Sequence, residues 1–121
     1  MSRWTSPIAV LLLCLPLAAM AGKDDAEKEL IAARANVAAA ERADAGERAS
    51  QELNAARDML ARAEGSFSDH DWDDAELEAQ RAGLDGRLAE ARARQQANES
   101  VLKELETTIE TLRAEIAREG A

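Results

Sequence analysis

The chain has 121 residues, with 15 Lys and Arg against 24 Asp and Glu, for a net charge of −9. This acidity argues against nucleic acid and anionic membrane surfaces as partners, because both reward clusters of Lys and Arg. Leu, Ile, Val and Phe number only 15 among the residues after Ala21, which argues against a large globular core.

The first 21 residues, MSRWTSPIAVLLLCLPLAAMA, have the order of a secretory signal peptide. Arg3 precedes an apolar run over residues 8–17, and small residues close the segment at Ala21. The run is too short for a membrane span, which needs about 20 residues. Cys14 raises a lipoprotein signal as the alternative, but Leu13 stands where a small residue is expected. We predict cleavage after Ala21 and a periplasmic mature protein without cysteine, hence without disulfide or thiol chemistry.

Residues 22–121 contain 24 alanines and no proline, a composition that favours helices. Apolar periodicity predicts two helices over about residues 25–43 and 47–64. Their stripes are Leu30, Ala33, Val37 and Ala40 in the first, and Ala49, Leu53, Ala56, Leu60, Ala63 and Phe67 in the second. The break between them predicts a kink or short turn at residues 44–47, where Asp44 is expected to cap a helix with Glu47 reaching back. A single bent helix is the alternative.

The third predicted helix spans about residues 71–118 and carries a seven-residue repeat. One series is Leu77, Leu84, Ala91, Asn98, Leu105 and Leu112, and its companion is Leu88, Gln95, Leu102, Ile109 and Ile116. Together they form the seam of a coiled coil. Gly83 and Gly86 are interpreted as loosening this helix, at about 1 kcal/mol each relative to alanine.

These elements predict an all-α fold: an antiparallel helical hairpin or three-helix bundle with a long C-terminal coiled-coil helix. The expected organisation is a signal peptide over 1–21, an alanine-rich helical domain over 22–97 and a coiled-coil extension over 98–121. A helix of 48 residues would be about 70 Å long, too long to be enclosed by so small a domain. The extension is therefore expected to pair with another chain.

The leading functional hypothesis is a non-catalytic scaffold or adaptor of the cell envelope that acts through coiled-coil association. Its partner is expected to be either a second copy or another envelope protein, with no membrane span in the mature chain. The residues predicted to form the association surface are Leu102, Leu105, Ile109, Leu112 and Ile116.

The stretch SFSDHDWDDAE, residues 66–76, supports two interpretations. As a corner between helices, it has Gly65 as a left-handed helix end and Asp71 as the cap of the next helix. As a weak divalent-cation or ligand site, it would use Asp69, His70, Asp71, Asp73 and Asp74. A calcium loop starting at Asp69 would need Gly at its sixth position and Glu at its twelfth, where the chain has Asp74 and Gln80. The corner is the preferred interpretation.

Catalytic signatures are absent from the sequence. The six glycines are scattered singly rather than gathered in a phosphate loop, and the only histidine, His70, stands among carboxylates in the predicted corner. The sequence therefore predicts a protein that is not an enzyme and has no cofactor.

The segment ELNAARDMLARAEGSFSDHDWDDAELEAQRA at residues 52–82, with AARANVAAAERADAGERAS before it, resembles an alanine-rich domain-of-unknown-function family. Its members are small signal-peptide-bearing envelope proteins of Gram-negative bacteria, sometimes joined to or encoded beside outer-membrane-protein-A-type peptidoglycan-binding domains. Gly65, Trp72, Ala75, Ala79 and Ala82 stand at the positions that carry the resemblance, which covers residues 26–97. It implies an envelope location and a helical fold, and no catalytic residues.

Overall fold

The computed structural model describes residues 17–121, with side chains from residue 22 onward. Within this range the chain forms four helices and no strand: α1 Leu17–Arg42, α2 Ala45–Arg48, α3 Ser50–Ser68 and α4 Trp72–Glu119. The predicted all-α fold with a long C-terminal helix is confirmed. The predicted signal peptide and the lipidation alternative at Cys14 fall largely on residues 1–16, outside the described residues.

The three long helices run up, down and up. Leu30 and Ala33 of α1 share a cluster with Ala79 and Ala82 of α4, whereas Val37 and Ala40 share one with Ala89 and Ala93. The residue numbers of α1 and α4 rise in the same direction from one cluster to the other, so these two helices are parallel. In α3 they fall, from Ala63 in the first cluster to Leu53 in the second, so α3 is antiparallel to both. The bundle is therefore a three-helix arrangement in which α4 packs against both other long helices.

A short turn separates α1 from α3, as the break in the apolar stripes predicted. Asp44 adopts left-handed backbone angles (φ 59°), and the single turn α2 follows it. The Asp44 side chain makes no capping hydrogen bond, so the predicted capping box is wrong. The backbone amides of Glu47 and Arg48 instead donate to the Asp44 carbonyl oxygen at 3.1 and 3.0 Å. The chain does not continue as one bent helix.

The corner between α3 and α4 begins later than predicted. Gly65 is not a left-handed helix end, because α3 continues through it to Ser68. The left-handed residue is His70 (φ 65°), and the amide of Asp71 donates to the Ser66 carbonyl at 2.9 Å. Asp71 stands at the N-cap of α4 without a side-chain capping bond. The corner is thus closed by main-chain hydrogen bonds rather than by the predicted glycine and aspartate.

The core consists mainly of alanine. The stripe predicted for α1 is buried throughout, and Leu53 of α3 is the largest fully buried side chain in the described chain. On α4 the buried positions are all small: Ala75, Ala79, Ala82, Gly83, Gly86, Ala89 and Ala93. Small residues let helix backbones approach closely, so the bundle gains packing contacts without large side chains.

Gly86 lies where the backbone of α1 comes very close to α4. A Cβ atom at this position would lie 3.0 Å from the Asn36 carbonyl carbon and 3.1 Å from the Val37 nitrogen. A Cβ atom at Gly83 would lie 3.2 Å from the side-chain amide nitrogen of Asn36. The interpretation of these glycines as loosening the helix is therefore incomplete, because both are buried where α1 crosses α4.

The C-terminal part of α4 extends beyond the bundle. Ala97 is the last partly buried residue, and every residue from Asn98 to the C-terminus is exposed. We call residues 98–119 the arm; at about 1.5 Å per residue it is about 33 Å long. Among the described helices, none is long and apolar enough to cross a membrane.

Candidate association surface

In the described part of the chain, no group of three or more His, Cys, Asp or Glu side chains is placed to hold a metal ion. The candidate residues Asp69, His70, Asp71, Asp73 and Asp74 are all exposed. The His70 ring instead lies edge-on to Trp72, with centroids 5.1 Å apart. Trp72 meets Phe67 in the same way at 5.0 Å. The corner thus closes the end of the bundle with aromatic contacts.

The five residues predicted to form the association surface lie together on one side of the arm. They are Leu102, Leu105, Ile109, Leu112 and Ile116, and we call them the arm seam. Their exposed fractions range from 46% for Ile109 to 70% for Ile116. Spacings of three and four residues place them on a common face of an α-helix. Half or more of most of these residues remains in water, on the part of α4 that extends beyond the bundle.

Only local interactions support the arm. The hydroxyl groups of Thr107, Thr108 and Thr111 each donate to a carbonyl oxygen four residues earlier, at 2.8–2.9 Å. Threonine has a lower helix propensity than alanine because its branched side chain loses rotamer freedom in a helix. The hydroxyl-to-carbonyl bonds do not add tertiary stability. Most helical stability in proteins comes from tertiary packing of an apolar face rather than from helix propensity, so packing against another helix would stabilise the arm.

Sequence reasoning missed a second part of the exposed apolar surface. Leu77, Leu84 and Leu88, which we call the outer seam, are exposed to 48%, 64% and 46% although they lie beside the bundle. The seven-residue repeat contained them, but only the arm was assigned to the association surface. What the repeat did not reveal is that α4 packs through its opposite, small-residue side.

Charged residues flank both seams, and several of them contact side chains of the same chain. The side chain of Arg92 lies 2.9 Å from a carboxylate oxygen of Glu52 on α3. The hydroxyl of Ser66 donates to a carboxylate oxygen of Glu78 at 2.7 Å. An exposed ion pair such as Arg92–Glu52 contributes about 0–1 kcal/mol, so this contact adds little to the stability of the bundle.

The family model of the domain of unknown function DUF4398 matches residues 28–105. The chain belongs to the DUF4398 family. The DUF4398 match covers most of α1, all of α2 and α3, and α4 as far as Leu105, so Ile109, Leu112 and Ile116 lie beyond it. The predicted membership of a domain-of-unknown-function family is confirmed, over a range close to the expected residues 26–97. No curated protein and no solved structure matches the chain.

Proposed function

We propose that this DUF4398 protein is a non-catalytic scaffold or adaptor of the periplasm that acts by helix association through its arm. The observation that carries the proposal is the half-exposed arm seam on the part of α4 that extends beyond the bundle. Fully burying a Leu or Ile side chain contributes about 1.5–3 kcal/mol, so covering the exposed half of each seam residue is worth about 1 kcal/mol. The partner is a second copy of the chain or another helical envelope protein.

The arm proposal predicts that Leu105→Asp combined with Ile109→Asp abolishes association, because two carboxylates would have to be buried among apolar side chains. A matched control is Thr107→Asp with Ala114→Asp, which adds the same charge on the far side of the arm. Light scattering after size exclusion measures the mass of the full chain. Circular dichroism checks that the variants keep the helical bundle.

Association in the cell is measured separately, by crosslinking from a photoreactive residue at position 105. We expect a crosslinked adduct from position 105. Ile109→Asp combined with Leu112→Asp, which changes the neighbouring seam residues, should remove this adduct. The control substitutions Thr107→Asp and Ala114→Asp should leave it intact. If neither the purified chain associates nor the cell yields an adduct, the proposed function is wrong. Association that survives the arm substitutions would also contradict it, since another surface would then be responsible.

The periplasmic location is part of the proposal and rests on the order of charged, apolar and small residues in positions 1–21. Family resemblance to small envelope proteins, some joined to or encoded beside peptidoglycan-binding domains, supports the same compartment. In the structure, Gly22 lies against Trp72, where a Cβ atom would be 3.5 Å from the Trp72 Cβ. Cleavage after Ala21 would therefore place the new N-terminus beside the corner and leave the arm free.

Export predicts a defined mature N-terminus. When the chain is expressed with its own first 21 residues in a Gram-negative host, it should be recovered from the periplasmic fraction. Its intact mass should be that of the chain starting at Gly22. Replacing Ala19 and Ala21 by bulky residues should retain the uncleaved precursor, because signal cleavage requires small side chains at those positions. An uncleaved wild-type chain in the cytoplasm would refute the proposed location.

A further inference from the structure

We propose that the arm binds a second copy of the chain in antiparallel orientation, so that each arm seam packs against the outer seam of the other copy. The inference rests on the proposed association through the arm and specifies its partner. It accounts for both exposed apolar surfaces of α4, the arm seam and the outer seam, in one symmetric interface.

The two seams lie on the same side of α4, opposite the rest of the bundle. Leu84 and Leu88 are each two residues from Gly86, hence about 200° around the helix from the side that meets the backbone of α1. Leu88 and Leu102 are 14 residues apart, two full repeats, so the outer seam continues directly into the arm seam. A second helix can therefore lie along the whole of α4 without displacing α1 or α3.

The lengths of the two seams match an antiparallel pair. α4 has 48 residues from Trp72 to Glu119, and a two-fold axis between Gln96 and Ala97 pairs almost the entire helix with its copy. Leu105 then lies opposite Leu88 of the second copy, and Ile109 lies opposite Leu84. The pairing extends to the ends of the seams, where the facing residues are Ile116 with Leu77, Leu112 with Arg81, and Leu102 with Ala91. Arg81 can cover the apolar seam with its aliphatic stem and keep its charge in water.

The polar interruptions of the repeat meet each other at the two-fold axis. Gln95 of each copy lies opposite Asn98 of the other, and each amide offers both a donor and an acceptor. The antiparallel register thus gathers the four polar amides in the centre and leaves the apolar residues on either side. Such a polar layer fixes the register of a coiled coil at some cost in stability.

Flanking charges favour the antiparallel orientation. Each copy contributes two pairs of opposite charge and one pair of like charge to the edges of the seam. These pairs, counted from one copy to the other, are Arg92 with Glu99, Glu78 with Arg113, and Asp85 with Glu106. Within one chain Arg92 contacts Glu52, Glu78 accepts a hydrogen bond from Ser66, and Glu99 accepts one from Gln95, so these side chains exchange or share those contacts in the dimer. Complementary charges at the edge positions set the orientation of helices in coiled coils, and the excess of attractive pairs supports this arrangement.

A parallel dimer would cover the same seams with less favourable charges. Alternation of Ile109 and Ile116 with Leu105 and Leu112 is typical of parallel two-stranded coils, which makes this the strongest alternative. Its edge pairs would be Arg94 with Glu99, which attract, and Arg87 with Arg92 and Asp73 with Glu78, which repel. It would also place Arg81 against its own copy inside the seam. Like charges thus outnumber opposite charges in the parallel arrangement.

Cysteine crosslinking distinguishes the two orientations. Cys14 is the only cysteine of the chain, so Cys14→Ala provides a cysteine-free background for single substitutions. Chains with Leu88→Cys and chains with Leu105→Cys are mixed, oxidised with copper phenanthroline and weighed intact. We expect a disulfide-linked heterodimer in the mixture and no linked dimer from either chain alone, since a disulfide needs Cβ atoms about 3.5–4.5 Å apart. Thr107→Cys, on the far side of the arm, is the matched control and should not link to Leu88→Cys.

Each other outcome overturns the antiparallel dimer. A linked dimer from Leu105→Cys alone means parallel pairing, in which case association through the arm stands and only the orientation is wrong. A purified chain that stays monomeric across a tenfold concentration range contradicts the dimer. In that case the crosslinked adduct from position 105 in cells still tests whether the arm associates with another protein.

Substitution of the outer seam provides an independent test. Leu84→Asp with Leu88→Asp, on the solvent side of the bundle, should reduce the purified chain to a monomer as completely as the arm substitutions do, with the helical signal of the bundle unchanged. If the variant forms a dimer over the same protein concentrations as the wild-type chain, the inference is wrong.

Discussion

Replacing Leu53 by alanine is expected to lower the free energy of unfolding by about 2–5 kcal/mol, the range for truncating a buried leucine. Leu53 is 1% exposed and the largest fully buried side chain of the described bundle. It belongs to the cluster that joins Val37 of α1, Ala45 of α2 and Ala89 of α4. Most of its neighbours in the cluster are alanines, which have no flexible side chain to fill the cavity, although Val37 and Leu60 also pack there.

Thermal unfolding followed by circular dichroism measures this effect. A loss of 1 kcal/mol lowers Tm by about 4–8 °C in a domain of 60–100 residues, so Leu53→Ala should lower it by at least about 10 °C. Ile31→Ala is the matched control, because Ile31 lies on α1 with 59% of its surface exposed, and its Tm should change little. Comparison at a single protein concentration is necessary, since self-association raises Tm. Equal effects at the two positions would contradict the described core.

Replacing Gly86 by valine is expected to lower the free energy of unfolding by about 1–3 kcal/mol, as overpacking of a close-packed core does. The added Cβ would lie 3.0 Å from the Asn36 carbonyl carbon and 3.2 Å from the Asn36 carbonyl oxygen. Both atoms belong to the backbone of α1, which can only yield by moving the helix. Two further methyl groups would force α1 still farther from α4 and separate the alanine contacts along both.

Gly65→Val is the control for this substitution, since it makes the same exchange in the interior of a helix. Nothing lies within 4 Å of a Cβ atom at Gly65, so the change should raise stability slightly, by up to about 0.5 kcal/mol from helix propensity. The difference in the free energy of unfolding between the two valine variants gives the cost of the close contact at Gly86, because the change in helix propensity is the same in both. A Gly86→Val chain as stable as Gly65→Val would show that α1 does not approach α4 as closely as described.

Helix propensity and spacing were sufficient to predict the helices from the sequence. The apolar stripe of α1 from Leu30 to Ala40 is buried as predicted, because its spacing of threes and fours admits only one buried face. The turn near Asp44 was also foreseen from the break in that spacing. Its left-handed backbone was not, since the sequence signal was a capping box and the structure uses main-chain hydrogen bonds instead.

The corner illustrates a different limit. Gly65 was expected in the left-handed conformation because glycine adopts it without steric cost, yet His70 adopts it and Gly65 stays helical. A local rule identifies which residues tolerate a backbone conformation, whereas the position of the reversal depends on where α3 and α4 meet. In the structure, α3 and α4 meet near the corner in the cluster that holds Ala63, Ala79 and Ala82.

The sequence alone determined that the chain is helical, that α4 is far longer than the bundle and that its leucines and isoleucines share one side. Only the tertiary structure decided which side of α4 the bundle uses. The seven-residue repeat marks the leucine side of α4 as an apolar face, but α4 packs in the bundle through Gly83, Gly86 and its alanines. Close backbone approach gives these small residues many contacts with α1 and α3, and it leaves the larger side chains of α4 exposed for association with another helix.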